Sequence, residues 1–427
     1  MSQKRFMLLF SVWLLCLVFL AALALTPAGV ARASYPIEVI ASGLNNPRGL
    51  TFGPDGTLYV AEAGTGGDGS DGRCFDGPEG EVCYGATGAV TRVLTDGTQE
   101  RVVSDMASLA SPVDGGGGVG PNDVAVAANG DLYVIVGLGA DPAVRDPGGV
   151  LGADGMNLGQ LAMVSGGTWS NVMDVAGYES VANPDGGEVD SNPFALIPQG
   201  GGGLAVTDAG GNSLLSVVVE SRSISTLSVF PTRTVEFPPG SGQMVPMQAV
   251  PTGVIEDSNG DFLVGELTGF PFPLGGASVY GVLAGGGDPT MVASGFTNIL
   301  DVALGDDGSL FVLEMATNSL LTGDPTGAIQ RVYPGGTRET VTTGLFLPTG
   351  MTMGPDGMLY VSNYGPLAGA GQVVRVDPNA PTDVSVSGFG GEQTGGSVAG
   401  WLVLGLLVPA GAWLIWRRRA AQDVPRG

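Results

Sequence analysis

The sequence contains no histidine. That absence removes a Ser–His–Asp triad, an HExxH zinc site and any histidine general base. Charge is also scarce. Lys, Arg, Asp and Glu make up 14% of the chain, and 17 basic residues face 41 acidic ones, for a formal charge of −24. No basic patch interrupts the middle of the chain, so a polyanion would be repelled and nucleic-acid binding is excluded. The acidity reads first as solubility and second as cation binding. Only three cysteines are present. No helical periodicity separates the apolar segments of the central region.

What is abundant is glycine (74 residues) and proline (29) in a chain of 427. Each glycine inside a helix costs roughly 0.5–1 kcal/mol relative to alanine, so this composition favours many short strands joined by tight turns.

The two ends read as addresses. Residues 4–25, KRFMLLFSVWLLCLVFLAALAL, place two cations before a long apolar run, and Ala31-Arg32-Ala33 follows as a small-x-small cleavage site. Residues 1–33 are therefore expected to be a signal peptide, with an uncleaved anchor as the alternative. Cys16 lies inside the run, and Leu15 before it fits a lipoprotein box poorly. Residues 398–416, VAGWLVLGLLVPAGAWLIW, suffice to span a bilayer, and Arg417–Arg419 are expected to stay inside. The layout is a body at the cell surface or in the periplasm, a flexible linker over 379–397, a transmembrane helix and a cytoplasmic tail over 417–427. Gly390-Gly391 and Gly395-Gly396 resemble a sorting tail cut by membrane proteases, so release by processing is open. In the exported body Cys74 and Cys83 are expected to form a disulfide pinning a short loop, with a redox or metal-binding pair as the alternative.

One phrase recurs six times: PRGLTFGPDGTLYVAE (47–62), PNDVAVAANGDLYVIV (121–136), PFALIPQGGGGLAVTD (193–208), PTGVIEDSNGDFLVGE (251–266), ILDVALGDDGSLFVLE (299–314) and PTGMTMGPDGMLYVSN (348–363). Alternating apolar residues flank an Asp-Gly or Asn-Gly turn, the signature of a hairpin. A second hairpin follows most copies, such as TGAVTRVLTDGTQERVVSDM (87–106). Four strands per unit and six units predict an all-β, six-bladed β-propeller over 34–378. IEVIASGL (37–44) matches the last strand of a blade and is expected to complete the sixth and close the ring. TDVSVSGF (382–389) is the weaker candidate for that place. Insertions at 64–86, 137–157, 181–192, 231–250 and 268–277 should share one rim.

Two alignment columns carry candidate chemistry. The residues ending the second strand are Glu62, Val136, Asp208, Glu266, Glu314 and Asn363. They form either an acidic ring for Ca²⁺ or Mg²⁺, or a set of local acceptors for loop amides. The residues opening the first strand are Gly49, Asp123, Ala195, Gly253, Asp301 and Gly350. Asp123 and Asp301 belong to blades that face each other across the axis, and Asn122 and Arg48 adjoin them. Asp123, Asp301, Asn122, Glu62, Glu266 and Glu314 are the metal-ligand candidates, with Ca²⁺ as the cation. Arg48, Asp208, Asn363, Phe270 and Phe272 are the binding-rim candidates. Phe270 and Phe272 suit either a flat apolar ligand or burial against the blade. NPDGGEVDSNPF (183–194) spaces its acids like a loose calcium loop without the full EF-hand pattern. The glycine run 115–118 lacks the GK[ST] of a phosphate cradle.

LNNPRGLTFGPDGTLYVAEAG, CYGATGAVTRV, NPDGGEVDSNPF, VTDAGGNSLL and VGELTGFPFPLGGASVY resemble the ScyD/ScyE family of exported proteins, over residues 37 to about 345. The family is similar to six-bladed propellers of the NHL and TolB-like groups. In cyanobacteria its members are encoded with enzymes that make the indole–phenolic sunscreen scytonemin. Its biochemical activity is not established, so the resemblance assigns no catalytic residue, and the C-terminal span departs from the plain secreted form. The resulting expectation is a monomeric, membrane-anchored module that binds a small molecule or an extracellular protein. A metal-dependent hydrolase similar to gluconolactonase propellers is the alternative. A quinoprotein dehydrogenase would need a histidine base that the chain lacks.

Overall fold

Alternation in the recurring phrase sends neighbouring side chains to opposite faces of a sheet, so each sheet needs a partner on both sides. A computed structural model of the chain describes residues 37–77, 80–127, 129–200 and 202–379. The expected signal peptide, transmembrane segment and TDVSVSGF lie outside them. Among the described residues no helix is long and apolar enough to cross a membrane.

The described residues form a six-bladed β-propeller of antiparallel sheets. Blade 1 runs Pro47–Phe52, Leu58–Glu62, Gly80–Val93 and Gln99–Ala110, with Cys74–Gly77 added on the long third strand. Blade 2 is Pro121–Val126, Leu132–Val136, Gln160–Ser165 and Thr168–Asp174. Blade 3 is Pro193–Gln199, Gly203–Asp208, Ser213–Val218 and Ser223–Val229. Blade 4 is Pro251–Glu256, Phe262–Glu266, Ala277–Val282 and Thr290–Phe296. Blade 5 is Ile299–Leu304, Leu310–Glu314, Thr326–Val332 and Arg338–Phe346. Blade 6 takes Gly350–Met353, Leu359–Asn363 and Gly371–Val376 from the end of the ring and Ile37–Leu44 from its start. The N-terminal strand thus closes the propeller as its sequence pattern indicates.

The core is divided among the six blade–blade interfaces. Val134 of blade 2 packs with Val90 and Ala61 of blade 1, while its neighbour Ile135 packs with Leu196 and Val206 of blade 3. Val312 faces blade 4 and Leu313 faces blade 6 in the same way. Adjacent blades approach closely through a recurring pair. A Cβ on Gly371 would collide with the Pro47 ring, and Gly88 and Gly327 stand in the same relation to Pro121 and Pro348. The third-strand glycine of one blade makes room for the proline that opens the next.

Among the described residues one α-helix departs from the all-β expectation of the sequence. It spans Val175–Ala182 and follows blade 2. Asp174 caps it by accepting from the Gly177 amide at 2.8 Å and is itself held by Arg145 at 2.6 Å. Val175, Gly177 and Val181 are weak helix formers, so capping and packing decide the conformation where propensity does not. The 231–250 insertion forms a small hairpin, Arg233–Glu236 with Met244–Met247. By antiparallel pairing, all five insertions leave the sheets at the edge where second strands end and first strands begin.

Candidate functional site

The strand-end column is a set of turn clamps. Glu62 accepts from the Asn45 amide at 2.8 Å, Asp208 from Asn192 at 2.7 Å, Glu314 from Thr297 at 2.7 Å and Asn363 from Phe346 at 2.7 Å. Asn45, Asn192 and Thr297 lie on the segment leading into the blade's own first strand, and Phe346 ends the strand that precedes that segment. The side chain at the end of strand two thereby fixes the entry of strand one. Further partners complete each clamp: Thr91 and Arg101 on Glu62, Ser191 and Gly211 on Asp208, Gln330 on Glu314. Glu266 turns instead to Arg233 of the inserted hairpin, at 2.5 Å. Burial pushes Glu266 up to about 7 against the pull of Arg233, and raises Glu314 and Asp208 as well.

The axial column is also structural. Asp123 accepts from its neighbour Val124 at 2.8 Å and from Leu196 of blade 3 at 2.9 Å. Asp301 repeats this with Val302 at 2.8 Å and Met351 of blade 6 at 2.7 Å. A Cβ on Gly49 would collide with the Asp123 carboxylate, and one on Gly253 with that of Asp301. Each aspartate therefore joins three blades, 1–3 or 4–6, with pseudo-twofold symmetry. Burial raises both; it takes Asp301 to about 7, and the Asp301 charge raises Asp123 further. Asn122 donates to the Pro193 carbonyl at 3.0 Å, and Arg48 to the Gly118 carbonyl. Thr252 reaches the Ile299 carbonyl at 2.9 Å, and Thr349 that of Pro47 at 2.6 Å, so this position ties each of these blades to the next.

Among the described residues no three Asp, Glu or Cys side chains converge to hold a metal ion. Glu62, Glu314, Asp123, Asp301 and Asn122 bond separate backbone or side-chain partners, and Glu266 pairs through Oε1 with Arg233 while its Oε2 is buried without a partner among the described residues. Phe270 is half-buried edge-on against Phe237, with centroids 4.9 Å apart, so it joins two insertions. Phe272 is half-buried too, and its carbonyl accepts from Ser319 at 2.6 Å. Neither forms an open aromatic platform. Cys74 and Cys83 form the disulfide.

The insertion face does hold a groove, of about 150 Å³, over blades 5, 6 and 1. Its apolar wall comes from Met315, Leu320, Pro325, Leu347, Pro366 and Leu367, with Val82 of the disulfide-pinned insertion opposite. Glu81, Asp114 and Asp324 stand in the same lining. Two buried asparagines set its shape. Asn46 donates to the Gly64 and Gly115 carbonyls at 2.7 and 2.8 Å, accepts from the Gly118 amide at 3.1 Å, and sends its own amide to Leu367 at 3.1 Å. Asn298 accepts from the Leu320 amide at 3.0 Å and donates to Leu267 at 3.1 Å. Leu347 holds φ at +40°, a left-handed conformation unusual for leucine, which presents it within this wall. Reading by repeat column missed Asn46 and Asn298, because they precede the phrase that was aligned. Their signal was an Asn just before the first strand, where a left-handed turn residue is required.

No protein-family model matches the chain, and no curated protein matches it. Among solved structures the chain is similar to a gluconolactonase from Xanthomonas campestris, with 10% identity, TM-score 0.48, and 82% of this chain and 92% of that one covered. It is similar to a streptogramin B lyase, with 13% identity, TM-score 0.46 and coverage of 81% and 99%. It is also similar to virginiamycin B lyase from Staphylococcus aureus, with 11% identity, TM-score 0.42 and coverage of 80% and 99%. At these identities the likeness concerns fold alone, and the propeller rests on its own sheet topology.

Proposed function

We propose that this chain is an extracytoplasmic ligand-binding propeller of the ScyD/ScyE type, held at the membrane by its C-terminal segment. Its ligand is a flat, largely apolar small molecule carrying hydroxyl or amino donors. The observation that carries this reading is the groove on the insertion face, with an apolar wall and carboxylates in its lining. Apolar surface binds the body of such a molecule, and a few polar groups fix its orientation. An indole–phenolic compound has this chemistry, in keeping with the scytonemin-like role that the sequence resemblance implies.

Hydrolysis is not part of the proposal. It would need a ligand set for a metal near the axis, and the axial aspartates are each bonded to two backbone amides. The test is calorimetric titration of the full-length chain with 5-hydroxyindole and with p-cresol. Saturable binding that is lost in Leu320→Glu supports the reading. No binding up to millimolar probe, or equal binding by the variant, defeats it. Membrane attachment is tested separately: deleting residues 398–427 should move the chain from the membrane to the soluble extracytoplasmic fraction.

A further inference from the structure

Across the ring from the groove, the helix Val175–Ala182 carries one residue that breaks its pattern. Its buried positions are Val175, Ala176 and Glu179, a stripe that ordinarily takes apolar side chains. Glu179 is 1% exposed, and its Oε1 has no hydrogen-bond partner among the described residues. A buried carboxylate without a donor or counter-charge is strongly disfavoured. Its Oε2 lies 2.6 Å from the place of a Cβ on Gly211, and Asp208 Cγ lies 3.4 Å from the same point. Glu179 is therefore aimed at Asp208.

Three more orphaned oxygens lie nearby in the chain, two on the loop that follows the helix and one on blade 3. Oδ1 of Asn183, Oδ1 of Asp190 and the hydroxyl of Ser213, the cross-strand partner of Asp208, are buried without partners. The charges acting on Glu179 are the carboxylates Asp208, Asp185 and Asp190. Burial and these neighbours push Glu179 up to about 8 and Asp190 up to about 6. Arg145, which packs on this helix, is committed to Asp174 and the Leu158 carbonyl.

We propose that Glu179, Asp190 and Asp208, with Asn183, form a calcium site that fastens the helix and the 183–192 loop to the rim of blade 3. The donors are all oxygens, which excludes a soft metal and suits Ca²⁺ or Mg²⁺. They are not already closed on one point, so binding draws the side chains in by rotation. Calcium accepts six to eight oxygens in adaptable geometry, whereas magnesium demands a near-ideal octahedron. The glycines Gly186 and Gly187 leave the loop free to adjust. This site is independent of the groove and of any ligand there.

The full-length chain, stripped with EDTA, is titrated with calcium chloride by calorimetry and melted with and without the ion. One equivalent should bind, and saturating calcium should raise Tm by about 2–4 °C. Glu179→Gln and Asp190→Asn should each weaken binding at least tenfold, while Asp324→Asn in the groove should leave it unchanged. Asp190 is only half-buried, so its variant serves if Glu179→Gln fails to fold. The proposal is overturned by absence of binding and of a Tm shift, or by wild-type affinity in Asp190→Asn. A loss confined to Asp324→Asn overturns it too. An equal shift with magnesium overturns the assignment to calcium.

Discussion

Blades 1 and 3 end their second strands with a buried acid at the same position, and surround it differently. Glu62 is met by Arg101 at 2.6 Å, by Thr91 and by the Asn45 amide. Asp208 is met by Ser191 and backbone amides, and Glu179 and Asp190 stand beside it with charges of the same sign. A clamp that needs only to hold a turn is satisfied within its own blade. Blade 3 gathers more negative charge than its clamp requires, and among the described residues no arginine or lysine pairs with Glu179, Asp190 or Asp208. The contrast marks where an external ion belongs.

The strongest way to break this contrast is to give blade 1 the problem of blade 3. Arg101→Met leaves Glu62 buried and unpaired. It should cost about 2–4 kcal/mol, at or below the value for a fully buried pair because Arg101 is 43% exposed. Urea unfolding measures this, and a loss under 0.5 kcal/mol would show that the two acids are equivalent.

The second test uses pH. The folded-state value of Glu179, about 8, lies above its ordinary 4.5. The folded state then holds a proton that the unfolded chain releases, so the stability it confers is full below about pH 4.5 and is lost as pH rises to 8. In EDTA the wild type should melt lower at pH 8 than at pH 5. Asp190, Glu266 and Asp301 act in the same direction, so the readout is the difference between wild type and Glu179→Gln. That variant should gain on the order of 1–2 kcal/mol at pH 8 and nothing at pH 4.

A finer comparison removes one hydroxyl from each clamp. Ser191→Ala should cost about 1–2 kcal/mol at pH 8, because among the described residues Asp208 is held by Ser191 and backbone amides rather than by an arginine. Thr91→Val should cost about half that. Equal costs would mean that Arg101 adds nothing to its clamp. The smallest stability effect belongs to the groove. Leu320→Glu should change stability by no more than about 0.5 kcal/mol while abolishing probe binding, since Leu320 lies on a loop outside the sheets.

The propeller was legible because its periodicity is written into residues that must alternate. Blade count, ring closure and the shared rim of insertions all follow from strand patterns and turn residues. The helix 175–182 was not legible, since its stability comes from Asp174, Arg145 and burial rather than from its own residues. The acidic columns were visible as columns, but sequence alone cannot say what a carboxylate touches. Glu62 and Glu314 turned out to hold backbone amides. Glu179 could not be picked out, because it is defined by the donor it lacks. The acids of the loop NPDGGEVDSNPF are visible in the sequence, yet of the three carboxylates only Asp190 lies on it, while Glu179 comes from the helix before it and Asp208 from blade 3.

Among the described residues the strand Ile37–Leu44 finds its one sheet partner at Gly371–Val376. A ribosome delivers that strand first and its partner last, so it waits through the synthesis of five complete blades. Until the two meet, Gly371–Val376 presents a bare edge that any extended chain of matching pattern can occupy. A second molecule carries such a chain. Two half-finished rings that exchanged their leading strands would each be sealed by the other, and the product would be a linked pair with every native contact intact.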